Sequence, residues 1–129
     1  MNWLVSPELY KALEDEFGEF EFDPCPFPHP EWNGLEQDWS NPCFVNPPFN
    51  TKDGGPIYRW LVKGIEEWKK GKTIVFLLPC MSHWRALDDI IGDGVEMRFI
   101  GRYIYYDTET KQPGTRPPND SVLLILRGR

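Results

Sequence analysis

The sequence lacks an apolar run of the roughly 18 residues that a membrane-crossing helix requires, which excludes an integral helical membrane protein. Its N-terminus, Met1-Asn2-Trp3-Leu4, has neither a basic region nor a long apolar stretch, so no export signal is expected. Cysteine is scarce and odd in number: Cys25, Cys43 and Cys80 predict free thiols in a reducing cytoplasm and not a disulfide framework. Histidine is scarcer still. Cys25-x3-His29 and Cys80-x2-His83 have spacings that zinc sites use, but the first pair lies among prolines and the second follows an apolar run, so buried thiols and loop histidines are expected, with no metal. Positive charge is missing from the front of the chain. Residues 1–50 carry ten acids against the single base Lys11, residues 51–97 balance, and residues 98–129 are net +3, for −6 in all. The net charge argues against holding duplex DNA by bulk electrostatics, while the distribution leaves the C-terminal third as the segment expected to meet any nucleic acid.

What is present is a core. In 129 residues there are six Trp, five Tyr and eight Phe, and 40% of residues are hydrophobic, enough for one folded domain and against disorder. One minimal domain over 1–129 is expected, with no linker, no repeat and no separate target-recognition domain. Ser6-Pro7-Glu8 reads as a helix start, with a capping hydroxyl and proline at the first helical position. Leu9, Tyr10, Leu13 and Phe17 follow at helical spacing up to Gly18. Phe20 to Asp23 alternates like a short strand, and a stiff extended loop with proline at every second residue follows, Pro24 to Pro30. Cys43 to Val45 predicts a strand. A helix opened by Pro56 carries Ile57, Trp60, Leu61, Ile65 and Trp68 on one face and ends at Gly71. Thr73 to Leu78 is short and nearly all apolar, as in a parallel strand buried on both faces. A third helix is expected over Ser82 to Ile91, and strands over Val95 to Ile100, Tyr103 to Tyr106 and Ser121 to Leu126. The pattern predicts an α/β three-layer sandwich with a mostly parallel sheet and an antiparallel edge.

The chemistry-bearing feature is Asn46-Pro47-Pro48-Phe49 at the end of a strand, where α/β proteins bind ligands. Two adjacent prolines remove two N–H donors and fix two φ angles, leaving a rigid row of acceptors. A planar ligand with an NH₂ group can donate one hydrogen to Asn46 and one to the Pro47 carbonyl while its ring stacks on Phe49. An exocyclic amine is a poor nucleophile because its lone pair is delocalised. Two acceptors on its hydrogens favour a more tetrahedral nitrogen and aim the lone pair at an electrophile. A structural turn in a chain of thirteen prolines is the plain alternative.

Asn46-Pro47-Pro48-Phe49 resembles the catalytic tetrapeptide of S-adenosylmethionine-dependent amino-group methyltransferases. Further pieces, in order, resemble the phage-type DNA adenine-N6 methyltransferases (Dam family). Trp3 with Ser6-Pro7 is similar to a Trp-x-Thr-Pro element, and Phe20 through Asp23-Pro24-Cys25 to Phe-x-x-Asp-Pro-Cys. Gly34-Leu35 and Asp38-Trp39 are similar to the segments before the catalytic strand, and Trp60 and Lys63 to marks of the next helix. Leu77-Leu78-Pro79 and Gly101-Arg102 are similar to later marks. The resemblance implies a reduced Rossmann-like methyltransferase fold that methylates adenine N6 in flipped-out or single-stranded DNA, adenine- and site-specifically. It implies S-adenosylmethionine as cofactor and phage self-modification against restriction as the role, in the bacterial host cytoplasm. It implies that Asn46, Pro47, Pro48 and Phe49 bind the adenine; that Asp23, Pro24 and Cys25 lie near the methionine end of the cofactor and Asp38 near its adenine; and that Trp3, Ser6 and Pro7 close over it. Asn50 and Lys52, in a loop that is either a lid or an ordinary surface loop, and Arg102, which either holds phosphate or forms an ion pair, are the remaining substrate candidates. Three departures stand out. Prolines occupy the place of the usual glycine-rich loop, Ser6 replaces Thr, and Asn33 replaces Asp. With no recognition domain, specificity would be slight or supplied by a dimer or partner. Two other functions fit the residues: methylation of an RNA or protein-glutamine amine, and a non-catalytic module that binds the cofactor or a partner.

Overall fold

The computed structural model describes residues 3–26, 30–47, 57–79, 95–101, 106–107 and 121–128. Within them the elements run β1 (Trp3–Leu4), α1 (Pro7–Phe17), a 3-10 turn (Gly34–Glu36), β2 (Cys43–Val45), α2 (Ile57–Lys69), β3 (Ile74–Pro79), β4 (Val95–Gly101), β5 (Tyr106–Asp107) and β6 (Ser121–Leu126). The expected helix over 82–91 lies outside the described residues, as do 103–105 of the strand expected over 103–106.

Both helices begin and end where the local chemistry dictates. The Ser6 hydroxyl accepts from the Leu9 N–H at 3.3 Å, Pro7 takes the first helical position, and Gly18, at a φ of 106°, ends α1 while its N–H reaches the Glu14 carbonyl at 2.8 Å. α2 buries Ile57, Trp60, Leu61 and Trp68, the predicted apolar face, and runs to a turn containing Gly71 at φ 98°.

The main sheet has the order β2-β3-β6-β4. β2 and β3 are parallel, pairing Cys43 with Ile74 and Val45 with Phe76. β6 is antiparallel to both β3 and β4. Three strands therefore share a direction, but the reversed strand lies inside the sheet, so the sheet is mixed and the antiparallel strand is not at an edge as expected. Composition accounts for this. Every residue of β6, Ser-Val-Leu-Leu-Ile-Leu, is buried, which demands an interior place. β4 carries Glu96 and Arg98 and exposes Met97 and Phe99, which suits the rim. A second ribbon pairs β1 with β5, Trp3 opposite Asp107 and Leu4 opposite Tyr106, and ties the chain's start to the segment after β4.

Strand alternation splits the core into two layers. Ile74, Phe76, Leu78, Val122, Leu124 and Leu126 face α2 and join Trp39, Trp60, Leu61 and Trp68. Val75, Leu77, Leu123 and Ile125 face the other way and meet Leu13 of α1, Phe20 and Phe44. Among the described residues one helix packs on each face. Phe20 to Asp23 is not a strand. Phe20 packs in the α1 layer and Phe22 against the α2 layer, a switch of face that a pleated strand cannot make between residues i and i+2.

Candidate active site

Two packing facts fix which residues share an end of the sheet. At Gly64 the α2 backbone lies so close to the Phe76 ring that a Cβ there would collide with it. Phe76 pairs with Val45, so Gly64 is level with the last residue of β2. One turn earlier stands Trp60, level with Asn46 and Pro47. At Gly34, equally, a Cβ would strike the Pro24 carbonyl and lie 3.0 Å from the Trp60 ring. The Pro24 backbone, Gly34 and Trp60 are therefore stacked on one another, which brings Asp23-Pro24-Cys25 to the Asn46 end. Trp39 holds this packing. Its indole N–H donates to the Gly34 carbonyl at 2.9 Å and its ring stacks on Trp60 at 6.3 Å.

α1 points the same way. Near its C-terminus Glu16 accepts a two-pronged contact from Arg98, at 2.6 and 2.5 Å, and a longer one from Arg127 at 3.4 Å. Arg127 follows Leu126, which pairs with Ile74 and Val95, the first residues of β3 and β4. The C-terminus of α1 thus sits where the parallel strands start, and Ser6 and Pro7 lie at the Asn46 end. Tyr10, between them, packs its ring edge-on to Phe44 at 5.7 Å.

Asn46 is half-buried and Pro47 buried. Among the described residues none hydrogen-bonds the Asn46 side chain. The Asp23 carboxylate accepts from the Cys25 N–H at 2.8 Å, an Asx turn that closes the Asp-Pro-Cys corner. Asp23 is open to solvent, next to buried Pro24. Partial desolvation pushes its carboxyl above the usual aspartate range, against the pull of the Cys25 N–H. Beside it Cys25 and Cys43 are free thiols. Burial, with Asp23 adding to it, raises Cys25 well above the usual thiol range and Cys43 to about 12, so both stay protonated and unreactive at neutral pH. Burial and the acids around it, Glu14 and Asp23 among them, raise Tyr10 as well. Among the described residues no group of three His, Cys, Asp or Glu could hold a metal ion.

Asp38 is not brought to this end. It is exposed, 3.8 Å from Lys70, in the connection between α2 and β3 where the parallel strands begin. Pro48, Phe49, Asn50, Lys52 and Arg102 lie outside the described residues, as do His29, Cys80 and His83.

Sequence reading missed Glu67. Its side chain is fully covered, although it lies near the surface, because its cover is the set of groups that bind it. The Trp39 N–H donates at 2.8 Å, and Lys63, Lys70 and Lys72 stand at 3.3, 2.9 and 3.2 Å. Burial pushes this carboxyl up, but the Trp39 N–H and the three ammonium groups outweigh it and hold it down at about 2. Helical spacing puts Glu67 beside Lys63 and Lys70, but its bond to Trp39, 28 residues away, has no local signal.

The arrangement is a mixed α/β sheet whose parallel-strand end gathers the Asn46 side chain, the Asp23 corner and the start of α1. In class it is a small α/β domain. More particularly, the family DNA N-6-adenine-methyltransferase (Dam) matches residues 2–129, and the chain belongs to that family. Membership implies methylation of adenine N6 in DNA. No curated protein and no solved structure matches the chain.

Proposed function

We propose that this domain uses S-adenosylmethionine to methylate adenine N6 in DNA, on a flipped-out or single-stranded base, with adenine and site specificity. The observation that carries this reading is the half-buried Asn46 amide, free of described partners, at the strand end shared with Asp23. Its residues suit the cofactor. The open carboxylate of Asp23 can accept the cofactor's ammonium group, and the Pro24–Gly34–Trp60 packing fixes that carboxylate in place. Ser6 and Pro7 stand at the same end, with Trp3 joined to them through β1. Asp38 stays outside the proposed set. When bound, the cofactor supplies an electrophilic methyl on a sulfonium sulfur. Asn46 and the Pro47 carbonyl hold the two N6 hydrogens, Phe49 stacks on the base, and Pro48 keeps the turn rigid. So held, the nitrogen lone pair would be aimed at the methyl that the bound cofactor would supply, and the N6 proton would leave to water. Asn50, Lys52 and Arg102 are assigned to the DNA strand. The setting we infer from the resemblance to phage-type members is protection of phage DNA from restriction, in the host cytoplasm.

The test is transfer of labelled methyl to adenine-containing DNA, RNA and glutamine-bearing protein, with Asn46→Ala and Asp23→Ala beside the wild type. DNA labelling lost in both variants, with cofactor affinity lost only in Asp23→Ala, supports the assignment. Labelling of RNA or protein in preference to DNA moves the substrate. A folded wild type that binds no cofactor sinks the enzyme reading.

A further inference from the structure

Three of the described tryptophans are core: Trp39, Trp60 and Trp68 are 2, 4 and 7% exposed. Trp32 is different, at 39% exposed. Leaving so large an apolar ring in water forgoes roughly 1 kcal/mol or more of burial, so its position calls for a partner. The ring is also held in place. It leans on Phe22, centroids 5.5 Å apart and planes 31° apart. Phe22 is anchored by its carbonyl, which accepts from the Cys43 thiol at 3.7 Å, and directly precedes Asp23. On the other side of Trp32, the Asn33 side chain accepts from the Leu35 N–H at 2.9 Å and caps the turn that begins at Gly34, which is locked against Pro24. Trp32 is thus pinned beside the Asp23 corner, from before and after, with part of its ring open.

Resting on the reading above, we infer that Trp32 is the stacking platform for the adenine ring of the cofactor, in the place that the remote Asp38 does not fill. A fixed, half-open indole offers a flat apolar face that any purine can cover. The charge around it selects the source of that purine. Glu21, Asp23 and Glu31 are exposed near it in the chain, within residues 1–50 of net −9. Such a field attracts a ligand that carries a sulfonium and an ammonium and repels a phosphodiester strand. Trp32 therefore serves the cofactor, and the target base is left to Asn46 itself.

Calorimetric titration of Trp32→Ala and Trp32→Phe tests this, with S-adenosylmethionine and with an adenine-bearing single-stranded oligonucleotide as separate ligands. Trp32→Ala should weaken cofactor binding by roughly 5- to 150-fold, the range for loss of one base–aromatic stack. Trp32→Phe, which keeps a ring, should stay within about fivefold of wild type, and the oligonucleotide should bind all three proteins alike. A melting curve shared by Trp32→Phe and wild type secures the fold. Cofactor binding unchanged in Trp32→Ala, or a loss confined to the oligonucleotide, overturns the assignment and leaves the proposed activity standing. A wild type that binds no cofactor overturns both.

Discussion

Replacing Glu67 by glutamine isolates the charge of the covered carboxylate. Glutamine keeps the length and an oxygen for the Trp39 N–H, and leaves Lys63, Lys70 and Lys72 facing a neutral group. The folded carboxyl ionises at about 2 against an ordinary 4.5. At 1.36 kcal/mol per pH unit, that difference is worth about 3 kcal/mol at neutral pH. For a domain of this size it corresponds to a fall in melting temperature of about 10 °C. The pH dependence has a definite sign. A carboxyl whose folded pKa is depressed stabilises fully above its unfolded value and loses that contribution as pH falls toward the folded value. The gap between wild type and Glu67→Gln should therefore be constant from pH 7 to about 5, shrink below 4.5, and be under half its neutral value by pH 3. Urea denaturation of both proteins at pH 7, 5, 4 and 3 measures it. A gap below about 1 kcal/mol at pH 7, or one as large at pH 3 as at pH 7, would refute the assigned role of the lysine cage.

Three further outcomes are expected. Gly34→Ala drives a Cβ into the Pro24 carbonyl and should cost about 1–3 kcal/mol of stability in a thermal melt, with weaker cofactor binding because the Asp23 corner moves. Glu16→Ala opens the contacts to Arg98 and Arg127, but all three side chains are a third or more exposed, so the loss should stay under about 1 kcal/mol and shrink further in high salt. Cofactor affinity should fall on acidification as Asp23 takes up a proton, starting above the ordinary aspartate range because its pKa is raised; Asp23→Asn should bind weakly with a flat profile in the same titrations.

The helices were legible because their signals are local: Ser6-Pro7, the glycines that end them, and apolar residues at helical spacing. The α/β class was legible for the same reason. Strand order was not, since pairing is settled between residues far apart. Even so, the contrast between all-apolar β6 and the half-polar β4 carried the clue to which lies inside. Phe20 to Asp23 misled because alternation in sequence does not reveal that two aromatics serve opposite layers. In the candidate site, Asn46 stood out by its place at a strand end before two prolines, and Asp23 only through the resemblance of Phe20 to Cys25 to a family segment. Trp32 sits in a polar stretch with no periodicity, so only its exposure and its contact with Phe22 single it out. Asp38 was drawn in by the resemblance of Asp38-Trp39 to a family segment. In the fold the Trp39 ring extends toward Gly34 and Trp60 while Asp38 stays with Lys70.

These placements divide the sheet into two ends with different physics. Where the parallel strands begin, charges are paired: Glu67 covered by three lysines, Glu16 between two partly exposed arginines that lie 5.8 and 5.1 Å from the Phe17 ring. Where they finish, polar groups have no charged partner among the described residues: the Asn46 amide, the Asp23 carboxylate, with the open face of Trp32 beside them. Paired charges have spent their interactions on the fold, and in the proposed reading the others keep theirs for a ligand. Substitutions at Glu67 or Glu16 should therefore lower stability while leaving cofactor affinity at neutral pH nearly unchanged. Asn46→Ala and Asp23→Ala should leave the melting temperature nearly unchanged while activity collapses. Gly34, whose contacts join the Trp39–Trp60 packing to the Asp23 corner, is the position where the two effects should appear together.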